Sequence, residues 1–160
     1  MKTLVITRHG KSSWDDYNYD WERKLTEKGK RNARQLGKFL KEKGIVPDLI
    51  VSSFATRALD TAKIVAEETG YNMDDIDVRK EIYHNDLDGM LDLIYGLDNG
   101  YDTVFLFGHN PTFTDLVNHF AQNKIEHLRT AGSFGVRFDT NNWEEVETAP
   151  SEDVFFIVPR

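Results

Sequence analysis

Short apolar runs of β-forming residues alternate with amphipathic stretches along this chain, and this alternation restricts its fold more than any other feature. The apolar runs cover residues 3–7, 49–52, 76–78 and 103–107. Helical crossovers between parallel strands cover both faces of a sheet. The sequence therefore predicts an α/β fold, a three-layer sandwich with a mainly parallel sheet flanked by helices. No repeat or flexible linker interrupts it, so we expect one domain over residues 1–160.

The helical stretches have recognisable periods and ends. In the first, small or apolar residues recur at i, i+3, i+4 and i+7, namely Ala33, Leu36, Gly37 and Leu40. Thr26 is suited to cap the start of this helix and Gly44 its end. A second helix is expected from about Ala58 to Gly70, and two more over residues 87–97 and 113–120.

The last part of the chain departs from this alternation. After Gly132 the segments "SFGVRFD", "WEEVE" and "VFFIVP" follow one another, with the turn "TNN" between the first two. Short β-rich segments joined by turns are typical of antiparallel or edge strands. We therefore expect three such strands here.

Charged and imidazole side chains follow three of the predicted strands. Arg8 and His9 end the first strand, Arg57 opens the helix after the second, and His109 follows the fourth. Ligands of open α/β sheets bind beyond the carboxyl ends of the strands. A cation in the first turn of a helix opposes the helix dipole, so Arg57 favours a nearby anion. We expect these four residues to form one phosphate-sized pocket.

The surroundings of these residues point to the same chemistry. Asn110 and Pro111 are typical helix-start residues, so His109 should lie beside free helical N–H groups that attract anions. Gly10 lets the backbone turn sharply or approach a ligand closely. Both features support a site for an anion.

Each residue also has an ordinary structural interpretation. Arg57 could form a surface ion pair with Asp60, three residues further along the helix. His109 could be a hydrogen-bonded strand end, and Arg8 with His9 a polar pair that closes a buried strand. The functional interpretation depends on the four residues occurring together.

Composition excludes several classes of function. The formal net charge is −7, so broad binding to nucleic acid or to an anionic membrane is not expected. The chain contains no Cys, which fits a reducing cytoplasm, and the N-terminal apolar run at residues 4–6 is too short for a signal peptide. We expect a protein that is cytoplasmic and not membrane-bound.

Three further histidines lack the spacing of a metal site. His84, His119 and His127 form neither an HxH nor an HExxH motif. The sequence therefore predicts no metal and no other cofactor.

An aromatic segment follows the first strand. It contains Trp14, Tyr17, Tyr19 and Trp21. Packing of these rings over the helices is the interpretation we favour, and a recognition surface is the alternative.

Four segments in order resemble the histidine phosphatase superfamily, and most closely its small SixA-type phosphohistidine phosphatases. These are "TRHGKS", "DWERKLTEKGKRNA", "DLIVSSFATRALDTA" and "FLFGHNP". The resemblance implies a phosphoglycerate mutase-like fold, with His9 as a nucleophile that forms a phosphohistidine intermediate without metal. It implies that Arg8, Arg57 and His109 bind the phosphoryl group, and Gly10 is a further candidate phosphate-binding residue.

The chain departs from that family pattern at three places. Gly10 stands where many SixA-type proteins have Ala, and residues 23–26 read Arg-Lys-Leu-Thr instead of Arg-Pro-Leu-Thr. Lys11 stands where the mutase-like branch usually has an acidic residue, and it adds positive charge near the pocket. The first departure is mutase-like, whereas Lys11 argues against a mutase.

A general acid has no clear motif. Sugar-phosphatase and mutase relatives place a carboxylic acid after the third strand, where this chain offers Glu81, Asp86 and Asp88. Little sequence between Gly70 and Leu87 is left to form a lid, so we expect an open site. Such a site suits a phosphohistidine-bearing protein domain. The alternatives are a phosphatase of a small phosphorylated metabolite and a noncatalytic phosphoprotein-binding module.

Overall fold

Six strands form one sheet in the computed structural model, which describes residues 1–160. The strands are β1 (Lys2–Arg8), β2 (Leu49–Ser53), β3 (Asp77–Arg79), β4 (Thr103–Gly108), β5 (Ser133–Phe138) and β6 (Ser151–Ile157). Their order across the sheet is β3-β2-β4-β1-β5-β6. The first four in this order pair in parallel, and β5 and β6 add antiparallel strands at one edge. The predicted mainly parallel sheet is confirmed.

Four helices cover the two faces of the sheet. They are α1 (Glu27–Glu42), α2 (Thr56–Thr69), α3 (Leu87–Tyr95) and α4 (Thr112–Phe120). Thr26 caps α1 by accepting the N–H of Gly29, and Gly44 follows its end with a φ of +73°. These caps agree with the sequence-based prediction. None of the helices combines the length and apolarity needed to cross a bilayer.

Alternate residues of the central strands serve two separate cores. Val5, Phe105 and Phe107 face α1 and α2, where they pack with residues such as Leu36 and Val65. Their neighbours along β1 and β4 face α3 and α4, in a second cluster that includes Leu4, Ile6 and Leu106. Because β1 and β4 are central strands buried on both faces, their middle residues, 4–6 and 104–107, are all apolar.

The segment "WEEVE" is not a strand, so this prediction was wrong. Trp143–Glu145 forms a single 3₁₀ turn, and Trp143 is fully buried. Its indole N–H donates to the carbonyl of Tyr101 at 2.8 Å. Trp143 and Val146 both enter the core with α3 and α4, and their spacing of three residues matches a 3₁₀ turn better than the period of a strand.

Helix α4 begins at Thr112, directly after the helix-start residues Asn110 and Pro111 and one residue before the predicted range of 113–120. Pro111 is the cap position, with helical φ and ψ angles. The side-chain oxygen of Asn110 still accepts a helical N–H, that of Thr114, at 3.1 Å. Asn110 thus satisfies an N–H of the first helical turn from one position further out than expected.

The register of β1 and β4 positions the two predicted site histidines. Arg8 pairs with Gly108, so His9 and His109 are the next residues on adjacent parallel strands. The backbone N–H of His9 donates to the carbonyl of Gly108 at 3.1 Å. The pairing of β1 with β4 therefore places the two imidazoles side by side at the carboxyl ends of these strands.

Candidate active site

The four residues that the sequence analysis names as site candidates lie together at the carboxyl ends of the parallel strands. The ring centroids of His9 and His109 are 5.3 Å apart. Arg8 precedes His9 on β1, and Arg57 is the second residue of α2. Both guanidinium groups are close enough to lower the pKa of His9. The fold thus brings the four residues together.

His9 is held with a defined nitrogen available for reaction. Its Nδ1 lies 2.7 Å from the carbonyl oxygen of Gly10, which can only accept, so Nδ1 carries the proton. Burial lowers the pKa of His9 to about 3, with His109 and the two arginines adding to the effect against the Gly10 hydrogen bond. The ring is therefore neutral near pH 7, and Nε2 keeps its lone pair.

His109 is neutral for similar reasons. Burial, and then the charge of Arg57, lower its pKa to about 3. Its Nε2 lies 2.8 Å from the hydroxyl oxygen of Ser53, which also accepts the N–H of Ala55. If the Ser53 hydroxyl donates to Nε2, every polar atom of that serine is satisfied, and the proton of His109 is on Nδ1. Nδ1 is buried and has no partner within the protein.

Arg57 is anchored by a carboxylate from a distant part of the chain. Its Nη2 lies 2.9 Å from a carboxylate oxygen of Asp20, and its Nη1 donates to the Asp20 carbonyl at 2.8 Å. The alternative partner suggested by the sequence, Asp60, forms no ion pair with it. The Nε of Arg57 is buried without a partner.

Arg8 has no carboxylate partner. Its Nη1 donates to the carbonyl of Leu128 at 3.2 Å and lies 3.4 Å from Nε2 of His127. Its Nε is also buried without a partner.

Three buried polar atoms in this pocket thus lack a hydrogen-bond partner: Nε of Arg8, Nε of Arg57 and Nδ1 of His109. They are the only such side-chain atoms in the structure. Buried donors are normally paired, because an unpaired one costs about 1–3 kcal/mol. Two cationic donors and one imidazole around the free Nε2 of His9 make a site suited to a tetrahedral oxyanion.

Asp20 joins three side chains of this site. Its carboxylate accepts from Nε of Arg23 at 3.0 Å, from Nη2 of Arg57, and from the hydroxyl of Tyr83. Burial opposes ionisation, but these three hydrogen bonds hold the pKa of Asp20 well below its usual range. The ring of Tyr83 meets that of His109 edge-on, with centroids 5.4 Å apart.

The sequence-based prediction of the site omitted Asp20, Ser53 and Tyr83. Ser53 could have been found, because it ends β2 at the same edge of the sheet. Asp20 lies in the segment "DWER", three residues before Arg23, but nothing in that spacing indicates contact with Arg57. Tyr83 follows a three-residue edge strand and has no sequence signal that we can name.

The candidate general acids have other roles. Glu81 is exposed and lies 3.7 Å from Arg79. Asp86 caps α3 by accepting the N–H of Gly89 at 2.9 Å. Neither forms a hydrogen bond or ion pair with the four pocket residues.

Gly10 is explained by close packing and not by an unusual backbone conformation. Its N–H donates to the Thr61 hydroxyl at 3.0 Å and is therefore engaged within the protein. A Cβ at this position would lie only 2.9 Å from the carbonyl oxygen of Gly29. Close contact with α1 thus explains the glycine, and its role in phosphate binding stays a prediction.

The aromatic segment does not pack over the helices, so that prediction was wrong. Trp14 is 70% exposed and Tyr19 61%, and Tyr17 and Trp21 are also exposed. Trp14 covers the guanidinium of Arg23 at 3.7 Å, and Tyr19 stacks on Trp21. Trp21 also touches Phe54, and Asp20 within the same segment ties it to Arg57 and Tyr83.

The remaining histidines are dispersed. His119 bonds Glu147 at 2.7 Å, His127 lies beside Arg8, and His84 packs against Tyr83. No group of three or more His, Asp or Glu side chains is arranged to hold a metal ion.

A known family model matches the N-terminal part of the chain. The family model described as the histidine phosphatase superfamily (branch 1) matches residues 4–96. A 2,3-bisphosphoglycerate-dependent phosphoglycerate mutase from Erythrobacter litoralis is 44% identical over 71 residues, which are 42% of this chain and 31% of the mutase. Phosphoglycerate mutase 1 of Saccharomyces cerevisiae is 41% identical over 71 residues, 42% of this chain and 29% of that protein. The match thus spans under a third of these relatives' length.

Solved structures share the fold over the whole chain. A protein assigned as the phosphohistidine phosphatase SixA from Nakamurella multipartitia gives a TM-score of 0.82 at 23% identity, covering 99% of this chain and 96% of that one. The protein histidine phosphatase SixA complexed with tungstate gives 0.82 at 21% identity, with 98% and 97% covered. A mycobacterial glucosyl-3-phosphoglycerate phosphatase gives 0.64 at 17%, with 96% and 97% covered. The predicted phosphoglycerate mutase-like fold is confirmed.

Proposed function

Because this chain belongs to the histidine phosphatase superfamily, we propose that it hydrolyses protein-borne phosphohistidine through a phosphohistidine intermediate on His9. One observation carries the proposal. The unprotonated Nε2 of His9 lies in a pocket whose three unpartnered buried atoms belong to Arg8, Arg57 and His109. A noncatalytic binder would need those donors but has no use for a neutral, oriented nucleophile.

The first step transfers the phosphoryl group to the enzyme. The lone pair of His9 Nε2 attacks phosphorus as the P–N bond of the substrate breaks, and that electron pair leaves on the substrate imidazole. The leaving ring departs as neutral histidine when its other nitrogen carries a proton. Phosphoryl transfer depends mostly on in-line positioning and on positive donors around the equatorial oxygens. Arg8, Arg57 and His109 supply such donors.

The second step regenerates the enzyme. A water molecule attacks phosphorus, the P–N bond to His9 breaks, and inorganic phosphate forms while the water proton passes to solvent or phosphate. The carbonyl of Gly10 holds a proton on Nδ1, so the phosphorylated ring is cationic and leaves as neutral imidazole. Burial alone would oppose that cation, and the bound phosphoryl dianion offsets this cost.

Phosphohistidine is favoured over a phosphomonoester by the missing proton donor. An alkoxide leaving group needs a general acid, whose loss forfeits about 10²–10⁴ in rate. Glu81 pairs with Arg79 and Asp86 caps α3, so neither carboxyl group is committed to this task. The strong hydrogen bonds to Asp20 keep it ionised and unable to donate.

A small-molecule phosphomonoesterase is the second candidate. The sequence similarity to phosphoglycerate mutases favours it, although it covers only 42% of this chain. A small phosphorylated metabolite would then replace the protein substrate, and one of the carboxylates after β3 would have to reorient toward the leaving group.

A comparison of substrates separates the two candidates. We expect kcat/KM for a phosphohistidine-bearing protein to exceed that for 3-phosphoglycerate or a sugar phosphate by at least about 10²-fold. Glu81→Gln and Asp86→Asn should leave the P–N reaction unchanged, and EDTA should have no effect. Efficient hydrolysis of a monoester that collapses in either carboxylate variant would identify the acid and establish the second candidate.

A further inference from the structure

A cationic groove adjoins the phosphoryl pocket at Arg8. It has a volume of about 1150 Å³, larger than most pockets for one small molecule. Five basic residues line it, from the end of β1, the start of α1, the loop before β5 and the segment after β6. They are Arg8, Lys11, Lys28, Arg129 and Arg160. The only carboxylate side chain in the lining is that of Glu126.

The charges of this groove are not neutralised within the protein. Lys11, Lys28 and Arg129 form no ion pair, although the chain carries a net charge of −7. Lys28 also lies in the first turn of α1, where a cation opposes the helix dipole. An unpaired basic cluster on an acidic protein attracts negative charge locally.

Arg8 belongs to both sites. Its Nε is buried without a partner in the phosphoryl pocket, and its side chain lines the groove together with His127. A molecule whose phosphoryl group is bound at His9 would therefore place its neighbouring atoms at the start of the groove.

Building on the proposed function, we infer that the groove binds acidic side chains on the protein that carries the phosphohistidine. The size of the groove and its mixed walls favour a protein over a small polyanion. Phe156, 47% exposed, and the half-buried Ile125 and Val158 lie among the cations and offer apolar contact to a protein surface. The net negative charge of the rest of the chain disfavours nucleic acid.

The test uses one small probe and two peptides. Phosphoramidate is a small P–N substrate that cannot reach the groove. Two synthetic peptides of equal length carry one phosphohistidine, flanked either by Asp and Glu or by Asn and Gln. We expect wild type to show a KM about tenfold lower for the acidic peptide, and this preference should disappear at high salt.

A charge-reversed pair locates the effect. Lys28→Glu with Arg129→Glu should abolish the preference for the acidic peptide while kcat/KM for phosphoramidate stays at the wild-type value. Lys38→Glu with Lys63→Glu is the matched control, because both lysines are exposed helical residues outside the groove and cause the same change in net charge. This control should keep the preference.

Binding of the unphosphorylated peptides, measured by fluorescence anisotropy, separates failure of this inference from failure of the proposed function. If no probe is hydrolysed, the proposed function fails, yet tighter binding of the acidic peptide that is lost in the Lys28/Arg129 variant would still support the groove. Equal binding of both peptides, or equal loss in both charge-reversed pairs, would overturn the inference. Stronger competition by tripolyphosphate or single-stranded DNA than by the acidic peptide would overturn it too, in favour of those ligands.

Discussion

Arg57 and Arg8 act on the same pair of histidines, but the protein holds their guanidinium groups in different ways. Arg57 forms an ion pair and a backbone hydrogen bond with Asp20. Arg8 contacts only a carbonyl and an imidazole. Each keeps one buried Nε without a partner.

This difference gives the two arginines different roles in the site. Arg57 is anchored by the Asp20 carboxylate, which it shares with Arg23, so this arginine is a fixed donor whose orientation is set before substrate binds. The charge of Arg8 has no carboxylate partner and lies beside the unpaired cations of the groove. We therefore expect the contribution of Arg57 to activity to depend on the geometry of its guanidinium group, and the contribution of Arg8 to depend on its positive charge.

Lysine substitutions test that division most strongly. Arg57→Ala and Arg8→Ala should each lower kcat/KM for phosphoramidate by about 10²–10³-fold, the range for loss of one preorganised donor. Arg8→Lys should recover part of this loss because the charge remains. Arg57→Lys should recover little, since an ammonium cannot reproduce the planar fork to Asp20.

Arg34→Ala is the control for these variants, because this exposed arginine of α1 forms no ion pair. Equal recovery in the two lysine variants would show that the two arginines do the same work. Wild-type activity in either alanine variant would show that this arginine does not contribute to the reaction.

The two histidines should make stability fall with acid. Each unfolded imidazole binds a proton near pH 6.5, whereas burial lowers the folded pKa of His9 and His109 to about 3. The unfolded state therefore binds more protons between these values, and the free energy of unfolding falls as pH falls through this range. The loss between pH 7 and pH 5 is about 2 kcal/mol for each histidine.

Urea unfolding of wild type, His9→Asn and His109→Asn at pH 7 and pH 5 measures this contribution. Each variant should lose about half of the site's pH dependence. An unchanged dependence in both variants would mean that the histidines titrate normally in the folded protein.

Asp20 should have a smaller effect on activity, as a positioning residue for Arg57. Asp20→Asn keeps the side-chain volume but removes the charge that orients Arg57, so we expect kcat/KM to fall about tenfold, mostly through kcat. Tyr83→Phe, which removes one of the hydrogen bonds to the same carboxylate, should have a weaker effect. Partial recovery in Asp20→Glu would support positioning, whereas unchanged kcat in Asp20→Asn would contradict it.

The sequence predicted the part of the site that depends on strand ends. Arg8 ends β1, and His9 and His109 directly follow β1 and β4, so their proximity could be inferred from these two parallel strands alone. The contact between Arg57 and Asp20 joins residues 37 positions apart through an irregular loop, and no periodic pattern indicates such a contact. The aromatic segment was misjudged for the same reason, because its rings pack on one another at the surface.

The error at "WEEVE" has a different origin. Trp143 and Val146 were interpreted as strand residues from their β propensity, but tertiary packing against α3 and α4 determines their conformation. Propensity was overridden there by burial of a single large side chain.

The central claim is that His9 carries the phosphoryl group during turnover, and trapping this species tests it most directly. Wild type is incubated with ³²P-labelled phosphoramidate, quenched in alkali to preserve P–N bonds, and digested for mass spectrometry. We expect an acid-labile, alkali-stable phosphoryl group on Nε2 of His9, and neither the adduct nor turnover in His9→Gln. Turnover by His9→Gln at a substantial fraction of the wild-type rate, or labelling of another residue in wild type, would contradict the account.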